Sequence, residues 1–284
     1  MKNFEKLFKR LFYSSIATIL VILLVFFSHM LIVKGLLFLF IAALAVFGVW
    51  EYGQMLKVKQ LNVGKGVLEL GAFAVVFSFF LSTFLEQYFY APFISFLLFV
   101  ILFFVLHFKK RQNPIESVAV QTFALIYVAF PLALFFPLVY FSGIDGRWWV
   151  FYLLVVTKIF DVAAYFGGKL FGKRKLAPAI SPNKTVEGAF FGLVFSVLAS
   201  LYFAYLGKTG VIDLYLSYQK ALPLGAILGI MGQVGDLSES LLKRDAKIKD
   251  SNSLPGLGGV LDMVDSLLFT TPILYLTIKQ GLLL

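Results

Sequence analysis

Apolar runs long enough to cross a bilayer recur along the whole chain, separated by short polar stretches. A helix needs roughly 20 apolar residues to span the hydrocarbon core, and nine windows meet that length approximately: Tyr13 to Ser28, Leu31 to Trp50, Gly66 to Leu85, Phe89 to Leu106, Ala119 to Phe141, Trp148 to Phe166, Gly188 to Leu206, Ala221 to Leu237 and Val260 to Ile278. The runs are continuous. Strands of a membrane barrel would instead alternate at every second residue over about ten positions. The pattern predicts an all-α, polytopic transmembrane bundle of about nine spans, with no room for a soluble domain between them.

Composition agrees with that pattern. Of the 284 residues, 60% are hydrophobic and 14% are charged, with a mean hydropathy of +0.91; soluble domains carry about 25% charged residues. The chain reads as one integrated membrane domain, in which residues 1–145 are transmembrane helices and residues 146–284 add the polar chemistry and its loops. The basic start MKNFEKLFKR leads into the first apolar run without a convincing small-residue cleavage site, so a retained first span is expected. Cysteine is absent, which excludes disulfides, thiol nucleophiles and Cys-based metal sites.

Basic residues set the expected orientation, because short cytoplasmic loops keep an excess of Lys and Arg. Nearly all of the 25 basic residues fall at the N-terminus and in alternate loops. Lys34, Arg147, Lys208, Lys220 and Lys279 lie on the opposite side. Nine spans with the N-terminus in the cytoplasm account for this bias. The net charge of +10 needs no nucleic acid, since basic loops facing an anionic leaflet explain it.

Two polar blocks depart from this background. The first is TKIFDVAAYFGGKLFGKRKLAPAISPNKTVEG, Thr157 to Gly188. Lys158 and Asp161 stand three apart, on one face of an otherwise lipid-compatible helix. Ionisable groups inside a span are costly and turn toward a polar cavity or one another. The glycines and basic residues that follow suit phosphate, because glycine lets backbone N–H groups approach and Lys or Arg neutralise the charge. Ser181-Pro182-Asn183 is expected to form a turn that delivers Lys184 and Thr185 to the start of the next helix, where an anion is favoured.

The second block, GQVGDLSESLLKRDAKIKDSNSLPGLGGVLDMVDS, runs from Gly232 to Ser266. Asp236 and Glu239 are three apart at the end of one predicted helix, and Asp262 and Asp265 are three apart at the start of the next. Four carboxylates suit a hard cation such as Mg2+, which commonly takes one or two carboxylates plus substrate phosphates. Zinc is a poor match without cysteine; His29 and His107 lie far away in sequence.

These blocks resemble the CDP-diacylglycerol synthase, or phosphatidate cytidylyltransferase, family. Its C-terminal signature is matched by Ser240, Lys243, Arg244, Lys249, Asp250, Pro255, Gly256, Gly258, Gly259, Asp262 and Asp265. Upstream elements are matched by Thr157, Lys158, Asp161, Ala164, Tyr165, Gly168, Lys169 and by Ser181, Pro182, Lys184, Thr185, Glu187, Gly188. The first half resembles the family only as hydrophobic spans. Leu257 and Met263 stand where the commonest family form has His and Arg. Any role of those two side chains is therefore absent or supplied elsewhere, for example by Lys249 or Arg244.

The resemblance implies transfer of cytidylyl from CTP to phosphatidate, giving CDP-diacylglycerol and pyrophosphate for phospholipid biosynthesis. Phosphatidate brings its own ionised oxygen, so positioning and charge neutralisation would supply most of the catalysis. The implied catalytic set is Asp236, Lys243, Arg244, Lys249, Asp262 and Asp265. Asp236, Asp262 and Asp265 would hold Mg2+, with Asp161 and Glu239 as weaker ligands and room for a second cation. Substrate contacts would come from Lys158, Ser181, Lys184, Thr185, Asp250, Gly258 and Gly259. The expected setting is the plasma or inner membrane, with the site and N-terminus cytoplasmic, membrane lipids around it and a homodimer as one open arrangement. The main alternative is a cation-coupled transporter, which would also keep intramembrane carboxylates. The chain lacks an inverted repeat, however, and its charge clusters lie on one side. A CDP-alcohol phosphotransferase would require a DGxxAR motif, which is missing.

Overall fold

The computed structural model describes residues 20–61, 64, 66–108, 113–248 and 259–282. Its long helices are α1 (Leu31–Val58), α2 (Val67–Phe84), α3 (Ala91–His107), α4 (Pro114–Val139), α5 (Gly146–Phe171), α6 (Val186–Lys208), α7 (Tyr218–Asp245) and α8 (Val260–Lys279). Together with the 3-10 turn Glu86–Tyr88 that extends α3, all eight are long and apolar enough to cross a membrane among the described residues. The protein is a multi-pass, all-α membrane protein. The expected first span, Tyr13 to Ser28, lies partly outside the described residues, and residues 20–26 of it are helical.

The apolar windows and the helices coincide closely, with two informative differences. Helix α1 continues for eight residues past Trp50, and α7 for eight past Leu237. Both extensions are polar in sequence, so a hydropathy window stops short of them. Both nevertheless bury charged groups: Glu51 in α1, and Glu239 and Lys243 in α7. A helix needs only its own backbone hydrogen bonds to continue, and intraprotein partners then satisfy the polar side chains.

The described chain divides into two compact units. One combines the helices up to Phe136 with the described residues of Asp245–Met263, and the other combines Pro137–Arg244 with Val264 onward. In the first unit, α1 buries Leu37, Ile41, Ala45, Gly48, Tyr52 and Met55 along one stripe, the three-and-four spacing of a helix face. Leu39, Phe47 and Trp50 on its other faces are exposed, as lipid contact permits. Phe38, Phe73, Phe80 and Phe136 form a ring cluster, with Phe38 and Phe80 centroids 4.9 Å apart. Helix α4 widens to a π-helical turn at Leu125–Ala129 just before Pro131. Proline has no N–H to give and its ring crowds the carbonyl one turn back, so the widened turn accommodates it.

The second unit is built on α5 and α6, which pack side by side. Small residues let them meet: a Cβ at Gly167 would lie 2.6 Å from the Phe191 side chain. Helix α7 joins through its own small residues, with Gly225 against Ser200 and Gly229 against Ser196, the close approach typical of membrane helices. A buried polar chain crosses this packing, because the Tyr152 and Ser200 hydroxyls lie 2.7 Å apart and Ser200 donates to the Ala221 carbonyl at 2.6 Å.

Between α5 and α6 the chain forms an antiparallel ribbon, β1 (Lys175–Ala177) and β2 (Ser181–Thr185), pairing Lys175 with Thr185 and Ala177 with Ser181. This corrects the expected turn at Ser181-Pro182-Asn183. The reversal falls earlier, where Ile180 N–H donates to the Ala177 carbonyl at 3.1 Å. Pro182 is tolerated because it sits exposed in a two-stranded ribbon, where a missing donor costs little.

Asp145 caps the amino end of α5, accepting from the Arg147 N–H at 3.1 Å and from the Arg147 guanidinium at 2.8 and 2.7 Å. Those side-chain hydrogen bonds hold the Asp145 carboxyl below the usual carboxylate range. With the folded value depressed, the stabilisation is present above the ordinary carboxylate pKa of about 3.9 and fades as pH falls through the lowered value. Arg147→Ala is expected to lower stability by no more than about 1 kcal/mol, because the pair is partly exposed. Turnover should stay within about twofold of wild type, since a change of that size corresponds to less than 0.5 kcal/mol. A larger loss of activity in a folded protein would give Arg147 a role beyond capping.

Candidate functional site

Five charged side chains from four elements meet in the second unit. Helix α5 supplies Lys158 and Asp161, β2 supplies Lys184, α7 supplies Asp236, and α8 supplies Asp265. The Lys184 ammonium lies 2.7 Å from Asp236, and the Lys158 ammonium lies 3.6 Å from Asp161 and 3.5 Å from the Ser266 hydroxyl. Asp265 is buried and accepts from the Ser266 N–H. Asp236, Asp161 and Lys158 act on it electrostatically, and Asp236 and Lys184 act on Asp161.

Local sequence explains this convergence. Lys158 and Asp161 share a face because they are one turn apart on α5. Lys184 reaches the cluster from the ribbon just before α6, whose start is fixed by Thr185: its hydroxyl accepts from the Gly188 N–H at 3.1 Å, an N-cap arrangement. Glu187 anchors the preceding basic segment by accepting from the Lys173 and Arg174 N–H groups at 3.0 and 3.1 Å. Asp236 comes beside Asp265 because Gly235 lets α7 and α8 touch. A Cβ there would fall 2.3 Å from the Asp265 carbonyl oxygen.

The other residues singled out by sequence have different placements. Glu239 and Lys243 form a buried ion pair at 2.6 Å, one turn apart on α7. Arg244 is exposed and donates to the Ile180 carbonyl at 3.1 Å, tying the end of α7 to the ribbon turn. Ser181 opens β2, and Thr185 is buried in its capping role. Asp262 belongs to the first unit, where it accepts from the Gly259 N–H at 3.1 Å at the start of α8. Lys249, Asp250, Leu257 and Gly258 lie outside the described residues.

Three participants escaped sequence reasoning. Ser266 closes the second polar block but carries no charge to mark it. Gly235 is one glycine among 23, and its contact is purely tertiary. Glu51 in α1 is 2% exposed and accepts from the Val260 and Leu261 N–H groups at 2.8 and 2.9 Å. Its signal was a carboxylate immediately past an apolar window, the kind of ionisable group that needs a named partner.

Helices long and apolar enough to span a membrane, bringing together three carboxylates and two lysines, define a multi-pass membrane protein with a charged site of oxygen and ammonium groups. Sequence comparison makes this specific. The chain belongs to the cytidylyltransferase family, whose model matches residues 13–280. A phosphatidate cytidylyltransferase of Chlamydia pneumoniae is 34% identical over 281 residues, covering 95% of this chain and 91% of that protein. One from Chlamydia muridarum is 43% identical over 193 residues, covering 62% of this chain and 61% of its own length. One from Bacillus subtilis is 41% identical over 169 residues, covering 58% and 60%. The matched stretch thus spans about three fifths of the latter two relatives.

Proposed function

We propose that this protein is an integral-membrane phosphatidate cytidylyltransferase, joining CTP and phosphatidate to give CDP-diacylglycerol and pyrophosphate. The observation that carries this reading is the Lys184–Asp236 contact of 2.7 Å beside Asp161 and Asp265. It brings phosphate-neutralising and cation-binding groups into one cluster of a chain that belongs to the cytidylyltransferase family. The alternative of a cation-coupled transporter shares the buried carboxylates, yet the relatives are named for cytidylyl transfer.

In this reaction an ionised oxygen of the phosphatidate phosphate forms a bond to the α-phosphorus of CTP. The bond from that phosphorus to the β-bridging oxygen breaks, and pyrophosphate leaves with the electron pair. No serine or cysteine nucleophile is needed. Lys184 and Lys158 neutralise phosphate oxygens at the cluster and hold them in place, an electrostatic contribution that depends on positioning. The Ser266 hydroxyl stands 3.5 Å from the Lys158 ammonium. Lys243 is matched by Glu239 and holds the end of α7, while Arg244 holds the ribbon that presents Lys184.

Magnesium fits the donor set. Three carboxylates, Asp161, Asp236 and Asp265, face the two ammonium groups of Lys158 and Lys184, leaving one negative charge in excess. Among the described residues no group of three His, Asp or Glu side chains is placed to hold a metal ion by itself. An open arrangement of one or two carboxylates completed by phosphate oxygens is how this ion is usually held. Asp236 and Asp265 would hold it, with Asp161 beside them. When bound, it would neutralise charge on the phosphates and on the leaving pyrophosphate. The excess of Lys and Arg in alternate loops supports a site and an N-terminus on the cytoplasmic side of the cell membrane, with CTP arriving from water and phosphatidate from the bilayer.

Purified protein in detergent, supplied with CTP, phosphatidate and Mg2+, should release pyrophosphate and form lipid-linked cytidine in equal amounts. EDTA should stop both, and added Mg2+ should restore them. Absence of both products in a folded preparation would overturn the activity. Turnover that persists in EDTA would overturn the magnesium assignment.

A further inference from the structure

Glu51 is a buried carboxylate outside every matched motif, and the chemistry proposed above makes no use of it. It stands on α1, 209 residues before its partner Val260. Each of its oxygens accepts one backbone N–H from the first two residues of α8: Oε1 from Val260 at 2.8 Å and Oε2 from Leu261 at 2.9 Å. The first four N–H groups of a helix have no partner within it, and a carboxylate is favoured there by the helix dipole. Asp262 adds a contact of its own by accepting from the Gly259 N–H at 3.1 Å, half of a capping box. Three successive N–H groups at this end are therefore already occupied, so the start of α8 holds protein carboxylates instead of presenting an empty anion site.

The surrounding packing supports a fixed seat. One turn earlier on α1, Gly48 lies under this helix end: a Cβ there would sit 2.9 Å from Val128 Cγ1 and 3.4 Å from Leu261 Cδ2. Leu261 is fully buried. About two turns beyond Glu51, Lys59 forms an ion pair with Asp245, the last residue of α7. The residues on either side of the segment that joins α7 to α8 thus both rest on α1 or on Lys59, the residue that caps its end. Asp262 and Asp265 occupy the first two turns of α8, so the placement of that amino end sets where they stand.

We infer that Glu51 is a positioning residue, a bidentate cap that seats the amino end of α8 and thereby places Asp262 and Asp265. The inference rests on the cytidylyltransferase reading for its assay. It predicts a loss unlike that of an ordinary core residue. Glu51→Gln keeps the size and one acceptor oxygen but loses the charge and the second acceptor. An outer-shell group bonded directly to a metal ligand is worth about 10–100-fold in metal affinity or activity; Glu51 acts one step further out, through the backbone of α8, so the lower end of that range is expected. The expected result is a fall in kcat of about that size together with a rise of fivefold or more, on the order of a tenfold effect, in the Mg2+ concentration giving half-maximal rate. Glu51→Asp keeps the charge on a shorter arm and should recover part of both.

The measurement compares wild type, Glu51→Gln and Glu51→Asp as full-length purified proteins, with the folded fraction of each taken from size-exclusion and circular dichroism. Activity that falls only in step with the folded fraction, at an unchanged Mg2+ half-saturation, overturns the inference. So does Glu51→Gln with wild-type kinetics. If Glu51→Gln cannot be recovered folded, Glu51→Asp decides alone by whether its Mg2+ half-saturation rises. Failure of both variants to fold would assign Glu51 to stability and overturn the positioning role. An inactive wild type would instead overturn the underlying cytidylyltransferase reading, and the two failures are thereby distinguished.

Discussion

Asp265→Asn is expected to remove turnover while leaving the protein inserted and folded. The asparagine has the same shape and keeps an oxygen that can accept from Ser266 N–H, so the local backbone has no reason to move. The change is electrical. Asp265 is buried, with Asp236 and Asp161 acting on it, and its neutralisation leaves two carboxylates facing two ammonium groups. The excess negative charge that favours a divalent cation is then gone. Loss of an outer-shell partner already costs about 10–100-fold, and with Asp265 in its proposed role as a magnesium ligand the loss should exceed the upper end of that range. A thermal shift gives an independent readout. A bound ion at a hundred times its Kd stabilises by about 2.7 kcal/mol, so wild type should gain on adding Mg2+ and the variant should not. Without Mg2+ the variant should be at least as stable as wild type, because a repulsive buried charge has been removed. Wild-type rates in folded Asp265→Asn would take this carboxylate out of the mechanism.

A second large effect is expected from one methyl group. A Cβ at Gly235 would lie 2.3 Å from the Asp265 carbonyl oxygen and 3.1 Å from Ser266 Cα. Both are backbone atoms and cannot rotate aside, so α7 and α8 must separate. Overpacking of this kind costs about 1–3 kcal/mol, and the displaced atoms belong to the residue that completes the site. Gly235→Ala should therefore lose both stability and most of its activity. Gly232→Ala is the control, one turn away on the same helix. Its Cβ would meet Ser266 Cβ at 3.6 Å, an ordinary contact, and alanine favours a helix over glycine by about 1 kcal/mol. It should be neutral or slightly stabilising. Equal tolerance of the two alanines, in thermal midpoint and in turnover, would show that close approach at Gly235 is not what seats Asp265.

Both effects arise where the chain is polar and where helix contacts decide what the polar groups meet. Lys243 illustrates the point. Its sequence neighbours suggest a phosphate contact, whereas in the fold its ammonium faces Glu239 at 2.6 Å with both side chains buried. Arg244, next to it, is spent in part on the Ile180 carbonyl. Lys184, by contrast, sits in a short strand instead of the turn expected for it and still reaches Asp236.

How much could be read in advance follows from the range of the forces involved. Bilayer-crossing helices are a local property, since each must satisfy its own backbone and show lipid an apolar surface. Hydropathy alone therefore located the eight described spans to within a few residues at most ends, and helical periodicity alone put Lys158 beside Asp161. The motif residues stood out because charges are costly in such a chain and are retained where they have partners, and it was their resemblance to a family that suggested the chemistry. What remained hidden depends on residues far apart in sequence. The pairing of Lys184 with Asp236 joins positions 52 residues apart, the Glu51 cap reaches across 209, and the Gly235 contact joins two helices through a missing side chain. No local pattern encodes which carboxylate meets which lysine, or which glycine is in contact, because those outcomes are set by the packing of helices against one another.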